Sequence, residues 1–210
     1  MFGGDSRCRF AFGDRVPDPE VKREAFIVPG DVCYVAKGAD VHETVGYDGA
    51  WAVLSNALSF DYLWNEVRVK GGAYGVGFRI TPERFGRFYS FRDPGVDATL
   101  ARYDEAGAWL SAFDPAEDEM EGYIVSTVAS HDAPVKPRQV ARRQDVALFS
   151  GKSAGYREHL RAEKLAATPE KLRTYAEALD RIASDGAVCA FGGEDVLRAS
   201  KGDWSFVKLL

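Results

Sequence analysis

The chain has 210 residues, with 27 Lys and Arg against 32 Asp and Glu for a formal charge of −5. Hydrophobic residues make up 46% and charged residues 28%, a globular mixture that excludes a disordered or collagen-like chain. The acidic balance argues against a nucleic-acid partner, and no apolar run approaches the roughly 18–20 residues of a membrane helix. The first twenty residues lack the apolar stretch of a secretory signal, so a cytoplasmic setting is expected.

Residues 1–23 carry charge, Gly and Pro without a sustained period and read as a lead-in or linker, leaving one domain over 24–210. Ala25–Val28 and Val32–Ala36 are β-branched and aromatic runs on either side of Pro29-Gly30, two strand pieces with a turn or bulge that Gly38 ends. From Gly49 to Val67 the pattern is helical. One stripe is Trp51, Leu54, Leu58 and Tyr62, and a second is Ala57, Phe60 and Trp64, which predicts a helix buried on more than one side. Gly71-Gly72 stops it. Ala73–Thr81 then alternates, with Tyr74, Val76, Phe78 and Ile80 on one face, and Gly86–Arg92 completes a hairpin.

Helices fill the middle of the chain. Thr99–Phe113 has helical spacing, and Asp114-Pro115-Ala116-Glu117 predicts a new start with Asp114 as the cap. The acidic cluster Glu117–Glu121 suits a positive helix N-terminus better than a metal. Pro134 and Pro137 precede a helix over Arg138–Phe149, and the basic residues Lys136, Arg138, Arg142 and Arg143 read as a solvated helix face or, less simply, as a site for an acidic or nucleic-acid partner. Tyr156–Ala167 is a further helix, and Thr168-Pro169-Glu170 opens another that runs to Ser184. Ala187–Phe191 is a buried type of strand, Glu194–Ala199 a brief helix, and the rest a tail. Strands near both ends with helices between them predict an α+β fold, a two-layer α/β roll with a mostly antiparallel sheet and helices packed on one face.

Most chemical motifs fail on spacing. Cys8, Cys33 and Cys189 form no C-x-x-C pair and read as free thiols in a reducing compartment. The histidines are His42, His131 and His159. Gly155-Tyr156-Arg157-Glu158-His159 resembles an inverted zinc motif with Gly at the first ligand position, which leaves it short of ligands. Ser130-His131-Asp132 is contiguous, and neighbours on a helix do not face one another. Gly71-Gly72-Ala73-Tyr74-Gly75-Val76-Gly77 follows a helix and opens a strand, the reverse of a dinucleotide loop. No catalytic or metal-ligating residue is therefore expected in this chain. Arg68 and Tyr74 flank two glycines that permit close backbone approach, and Gly75 and Gly77 leave one strand face bare, so an Arg and a Tyr could hold a peptide carbonyl there. The plainer alternative is a tight corner with Arg68 paired to a carboxylate and Tyr74 in the core.

Tyr62-Leu63-Trp64-Asn65-Glu66-Val67-Arg68-Val69-Lys70-Gly71-Gly72-Ala73-Tyr74-Gly75 resembles the carboxyl-terminal domain of the presequence-protease branch of the pitrilysin/insulinase zinc metallopeptidases. Phe26-Ile27-Val28-Pro29 and Val32-Cys33-Tyr34-Val35-Ala36-Lys37-Gly38 resemble the segment that opens that domain. The resemblance implies the fold of the mitochondrial-processing-peptidase-like domains, with a parent enzyme that closes as a clamshell around unstructured peptides. Zinc would belong to the catalytic amino-terminal half of the parent, in the same polypeptide or a separate subunit. Arg68 and Tyr74, with Gly71 and Gly72 between them, would bind substrate. The expected function is a non-catalytic, substrate-binding domain, with a catalytically dead structural or assembly module of the same fold as the alternative.

Overall fold

A computed structural model describes residues 22–208 of the chain. The lead-in predicted for 1–23 and the thiol of Cys8 lie outside those residues, apart from Lys22 and Arg23. Six strands form one sheet: β1 (Arg23–Ile27), β2 (Cys33–Asp40), β3 (Gly75–Ile80), β4 (Phe85–Asp93), β5 (Ala187–Gly192) and β6 (Ser205–Lys208), in the order β3-β4-β2-β5-β1-β6. The pairings β3–β4, β4–β2 and β2–β5 are antiparallel, whereas β5–β1 and β1–β6 are parallel. The predicted α+β layering with a mostly antiparallel sheet is observed.

The first two strands are both present, but β5 lies between them, so Pro29-Gly30 joins strands that are not neighbours. Gly38 does not end β2. The strand continues to Asp40, and β4 leaves no room for a side chain at Gly38: a Cβ there would lie 2.9 Å from the Gly86 carbonyl oxygen and 3.0 Å from Arg87 Cβ. The predicted tail contains β6, too short and too exposed to give a period, and Arg23 lies over Trp204 just before it.

Helices α1 (Ala50–Ala57), α2 (Asp97–Asp104) and α8 (Ala176–Asp185) lie against the sheet. Trp51 of α1 stacks on Tyr175 at 4.0 Å and tilts against Phe78 of β3, which meets Phe88 of β4, which in turn stacks on Tyr103 of α2. This run of rings is the centre of the core. Lys37 of β2 points into the same layer, and its ammonium is held by Asp104 at 2.5 Å and the Ala183 carbonyl at 2.6 Å, which satisfies a charge that burial alone would penalise.

The long first helix departs from its prediction. After Ala57 it widens into π-helical turns over Leu58–Tyr62 and Trp64–Val69. The extra residue per turn shifts the stripes, so Leu58, Tyr62, Leu63 and Val67 are buried while Phe60 and Trp64 of the second predicted stripe are exposed. Thr99–Phe113 is two helices, α2 and α3 (Ala106–Ser111), because the bend at Glu105 lets Gly107 approach α8 so closely that a Cβ would lie 1.9 Å from Asp180 Oδ1. Asp114 is not a cap. Helix α4 (Glu117–Asp132) starts two residues later, where the Ala116 N–H donates to Glu119 Oε2 at 3.0 Å. Helices α5 (Pro137–Phe149) and α6 (Tyr156–Leu165) follow as predicted, and α5 buries none of its residues. Thr168 does cap α7 (Pro169–Arg173), but the chain turns at Tyr175 before α8, which is what seats the Tyr175 ring on Trp51. Helix α9 (Glu194–Ala199) closes the helical set.

On the face away from Phe78 and Phe88, the strand register aligns Gly75, Phe91, Tyr34, Phe191, Phe26 and Val207 in a row across all six strands. The expectation that Gly75 and Gly77 leave a bare strand face is not met. A Cβ on Gly75 would lie 2.1 Å from the Phe91 ring and one on Gly77 2.6 Å from the Tyr89 hydroxyl, so rings of β4 already cover both glycines.

Candidate functional site

The corner between the π-helical turns and β3 is built from its backbone outward. Lys70 N–H reaches the Asn65 carbonyl, Gly72 N–H that of Arg68, and Ala73 N–H that of Val67. The last two bonds are each one residue wider than in the usual glycine-closed helix end, as follows when the final turns are π-helical. Gly71 has no room for a side chain, since a Cβ would lie 2.5 Å from the Val67 carbonyl oxygen. Gly72 takes φ +84°, which a side chain would strain. Both glycines are exposed, so another backbone can approach them.

Arg68 projects from this corner and lies over the indole of Trp64, with Cζ 3.7 Å from the ring centroid. Among the described residues it forms no ion pair. The nearby carboxylate, Glu66, is engaged with Lys70 at 2.5 Å and with Arg102 at 3.8 Å. Tyr74 is 62% exposed. Its ring meets Phe91 edge-on at 5.8 Å with Arg92 alongside, and its N–H donates to the Arg92 carbonyl at 3.2 Å. The alternative of a carboxylate-paired Arg68 and a core Tyr74 therefore does not describe the corner. A half-buried guanidinium and an exposed phenol instead stand without a side-chain hydrogen-bond partner among the described residues, the first steadied on an indole at about 0.5–1 kcal/mol.

Arg92 has a positive φ of 49°. Cys33 pairs with Asp93 and Tyr34 with Phe91, so Arg92 is the extra residue of a β-bulge. Such a backbone costs about 1–3 kcal/mol and has to be held by its surroundings, here Asp93, which accepts from Thr99 at 2.8 Å and from the Gly95 N–H at 3.1 Å. Sequence reading missed Arg92, Trp64 and Phe91 as neighbours of the site. Only the aromatic content of 60–64 and 88–91 hinted at them.

The other candidates do not converge. His42 is paired with Asp40 at 3.0 Å, and His159 with Glu163 at 3.0 Å on the same helix. His131 Nδ1 lies 2.6 Å from the Lys164 ammonium, and burial together with the Lys164 and Arg157 charges lowers its pKa. Asp132 binds Arg161 and the Ser130 hydroxyl donates to the Ser126 carbonyl, so no triad forms. Among the described residues no three His, Cys, Asp or Glu side chains are grouped to hold a metal, and this donor set does not fit zinc. Cys33 is buried and Cys189 half-buried, both as free thiols whose pKa burial raises.

Residues 23–192 match the family described as the PreP C-terminal domain. The chain belongs to this family. Among similar proteins, this PreP C-terminal domain is 34% identical over 192 residues to Protein HypA of Clostridium perfringens, covering 89% of the chain and 19% of that protein. It is 32% identical over 181 residues to Presequence protease 1, chloroplastic/mitochondrial, of Arabidopsis thaliana, covering 84% of the chain and 17% of that protein. The chain thus spans about a fifth of the length of these relatives. The fold is shared with pitrilysin (TM-score 0.59, 16% identity, 89% of this chain and 22% of that one). It is also shared with the inactive peptidase domain of a putative zinc protease from Bordetella parapertussis (TM-score 0.59, 18% identity, 84% and 96%).

Proposed function

We propose that the chain is the non-catalytic, peptide-holding domain of a zinc-dependent peptidase that degrades unstructured peptides inside a clamshell chamber. The observation that carries this reading is the corner itself: Arg68 and Tyr74 present unpaired donors beside two exposed glycines. Arg68 and Tyr74 donate to the carbonyl oxygens of an extended peptide, and the glycines let its backbone come close. Such donors orient the scissile bond and stabilise the charge that develops on its oxygen, but neither activates water. Zinc and hydrolysis belong to the amino-terminal half of the parent, in the same polypeptide or as a separate subunit. The free thiols of Cys33 and Cys189 support a reducing, cytoplasmic setting.

The test is peptide turnover by the parent enzyme carrying Arg68→Ala or Tyr74→Phe. Turnover should fall at least tenfold for Arg68→Ala and less for Tyr74→Phe, with the fold unchanged by circular dichroism. Wild-type turnover by both variants would remove the assignment. A second reading, an assembly module of the same fold, is favoured by α5, which leaves Leu148 and Phe149 exposed. Under it, the chain would bind a neighbouring domain through α5 and show no peptide binding that depends on Arg68.

A further inference from the structure

The open face of the sheet continues directly from the corner, because the Tyr74 ring touches Phe91. Phe91 stands in register with Tyr34, and Tyr34 with Phe191, which stacks on Phe26 at 4.7 Å. Tyr34 is 47% and Phe91 36% exposed, so an aromatic floor faces solvent where a sheet ordinarily carries polar side chains. Phe91 and Tyr89 lie flat across Gly75 and Gly77, which keeps the floor low toward β3.

Four residues along the same strands, about 13 Å from this row, Arg79 of β3 stands directly opposite Arg87 of β4. Like charges in that position repel. Neither arginine has a carboxylate partner among the described residues, and Arg87 stands opposite Gly38 of β2, which offers no side chain to pair with it. Arg68 and Arg92 likewise have ring partners and no carboxylate. A chain of net charge −5 thus sets four guanidinium groups without a carboxylate partner among the described residues along its β3–β4 edge, Arg68 and Arg92 at one end and Arg79 and Arg87 at the other. Of the nearby acids, Asp40 at the end of β2 is taken by the His42 N–H at 2.9 Å, Glu83 in the β3–β4 turn is bonded within that turn by Thr81, and Glu24 on β1 stands three strands away from β4.

We infer that this face reads side chains of the peptide held at the corner: an aromatic side chain rests on the Tyr34–Phe91 row, and a carboxylate about four residues further along binds Arg79 and Arg87. Residues four apart in an extended peptide share a face and span the same 13 Å or so, which matches the separation of the two features. The occupant is an extended, acidic peptide with aromatic side chains. This inference rests on the peptide-holding reading of Arg68 and Tyr74, and it adds a composition that the corner alone does not select.

The test uses the 210-residue chain and fluorescein-labelled dodecapeptides, read by polarisation. One peptide carries a phenylalanine with aspartates four and five residues after it, a second has lysines for the aspartates, and a third has serine for the phenylalanine. An exposed arginine–carboxylate pair is worth up to about fivefold in affinity, so two favour the acidic peptide over the lysine peptide by about tenfold. The Arg79→Glu/Arg87→Glu double variant should erase or invert that preference, and Arg79→Lys/Arg87→Lys should keep most of it. Tyr34→Ser should bring the phenylalanine and serine peptides to similar affinity. Equal affinity of the wild-type chain for acidic and basic peptides overturns the inference. So does a preference that survives the glutamate double variant. If Arg68→Ala weakens both peptides while the preference ignores Arg79 and Arg87, the corner reading stands and this one falls. If no peptide binds, both fall. Sedimentation that shows a dimer dissociated by Tyr34→Ser assigns the face to a second copy and also overturns the inference.

Discussion

Trp64 is the seat of Arg68, so the two residues make separable predictions. Arg68→Ala removes a guanidinium that contacts one indole and no carboxylate among the described residues, and Glu66 keeps both of its cationic partners. The stability lost is therefore the cation–π contact, about 0.5–1 kcal/mol, which lowers the melting temperature of a chain this size by about 1–4 °C. The binding lost is larger. A charged donor to a peptide carbonyl is worth about 1.5–3 kcal/mol, which is about tenfold to a hundredfold in Kd. Trp64→Leu keeps the guanidinium and removes its seat, so it should cost about twofold to fivefold in Kd and little more in stability than Arg68→Ala. Thermal melting and peptide titration of the two variants in parallel give the comparison. A fall of 8 °C or more for Arg68→Ala, with Kd unchanged, would make Arg68 a structural residue and refute the argument. Trp64→Leu binding as well as wild type while Arg68→Ala does not would refute the role of the indole alone.

Asp104→Ala leaves the buried Lys37 ammonium with only the Ala183 carbonyl and should cost about 1–3 kcal/mol in urea unfolding, with Lys37→Met added to it recovering most of the loss. An additive double variant would show that the pair is not coupled. Gly75→Ala should cost about 1–2 kcal/mol, because its Cβ meets the Phe91 ring, and that cost should shrink below about 0.5 kcal/mol in a Phe91→Ala background. An undiminished cost there would place the strain elsewhere. His131 is held below its ordinary pKa of 6.5 by burial and by Lys164 and Arg157, with Arg161 opposing and Asp132 favouring protonation. A depressed histidine binds its proton more readily in the unfolded chain, so stability falls as pH drops through about 6.5 toward the folded value. The lowered carboxylates, such as Glu170 and Glu194, lose their contribution only below about pH 4.5, so melts between pH 7.5 and 5.5 isolate the histidine. His131→Gln should flatten that slope, and a slope left unchanged would assign the dependence to another group.

The alternation of Ala73–Thr81, the apolar strip of the first helix and the glycine stop were enough to place the corner, and the Arg–Gly-Gly-Ala-Tyr segment to place the family. What local pattern did not carry was tertiary in origin. The π-helical turns keep a helical spacing in the sequence while rotating Phe60 and Trp64 out of the core, so spacing alone assigns the second stripe to the buried side. The Glu105 and Tyr175 bends serve contacts with Asp180 and Trp51 that lie far away in sequence. The glycines of β3 looked like room for a ligand, because their covering rings come from β4 and only register shows that. Arg79 and Arg87 passed unnoticed for the same reason: eight positions apart in the chain, they become neighbours only when the hairpin closes.

Both partners of β1 come from the end of the chain. Residues 23–27 pair with 187–192 on one side and 205–208 on the other, so the first of the described strands has no sheet neighbour among them until residue 187 and beyond have been made. At roughly 5–20 residues per second, the ribosome leaves that strand waiting for about 8–30 s. During that interval Ala25 and Ile27, which end up buried, have no sheet to enter. The β3–β4–β2 portion can assemble earlier, since its strands lie within one contiguous stretch, and β5 then joins the two parts. Synthesis of residues 187–208 is therefore the step at which the six described strands become one sheet.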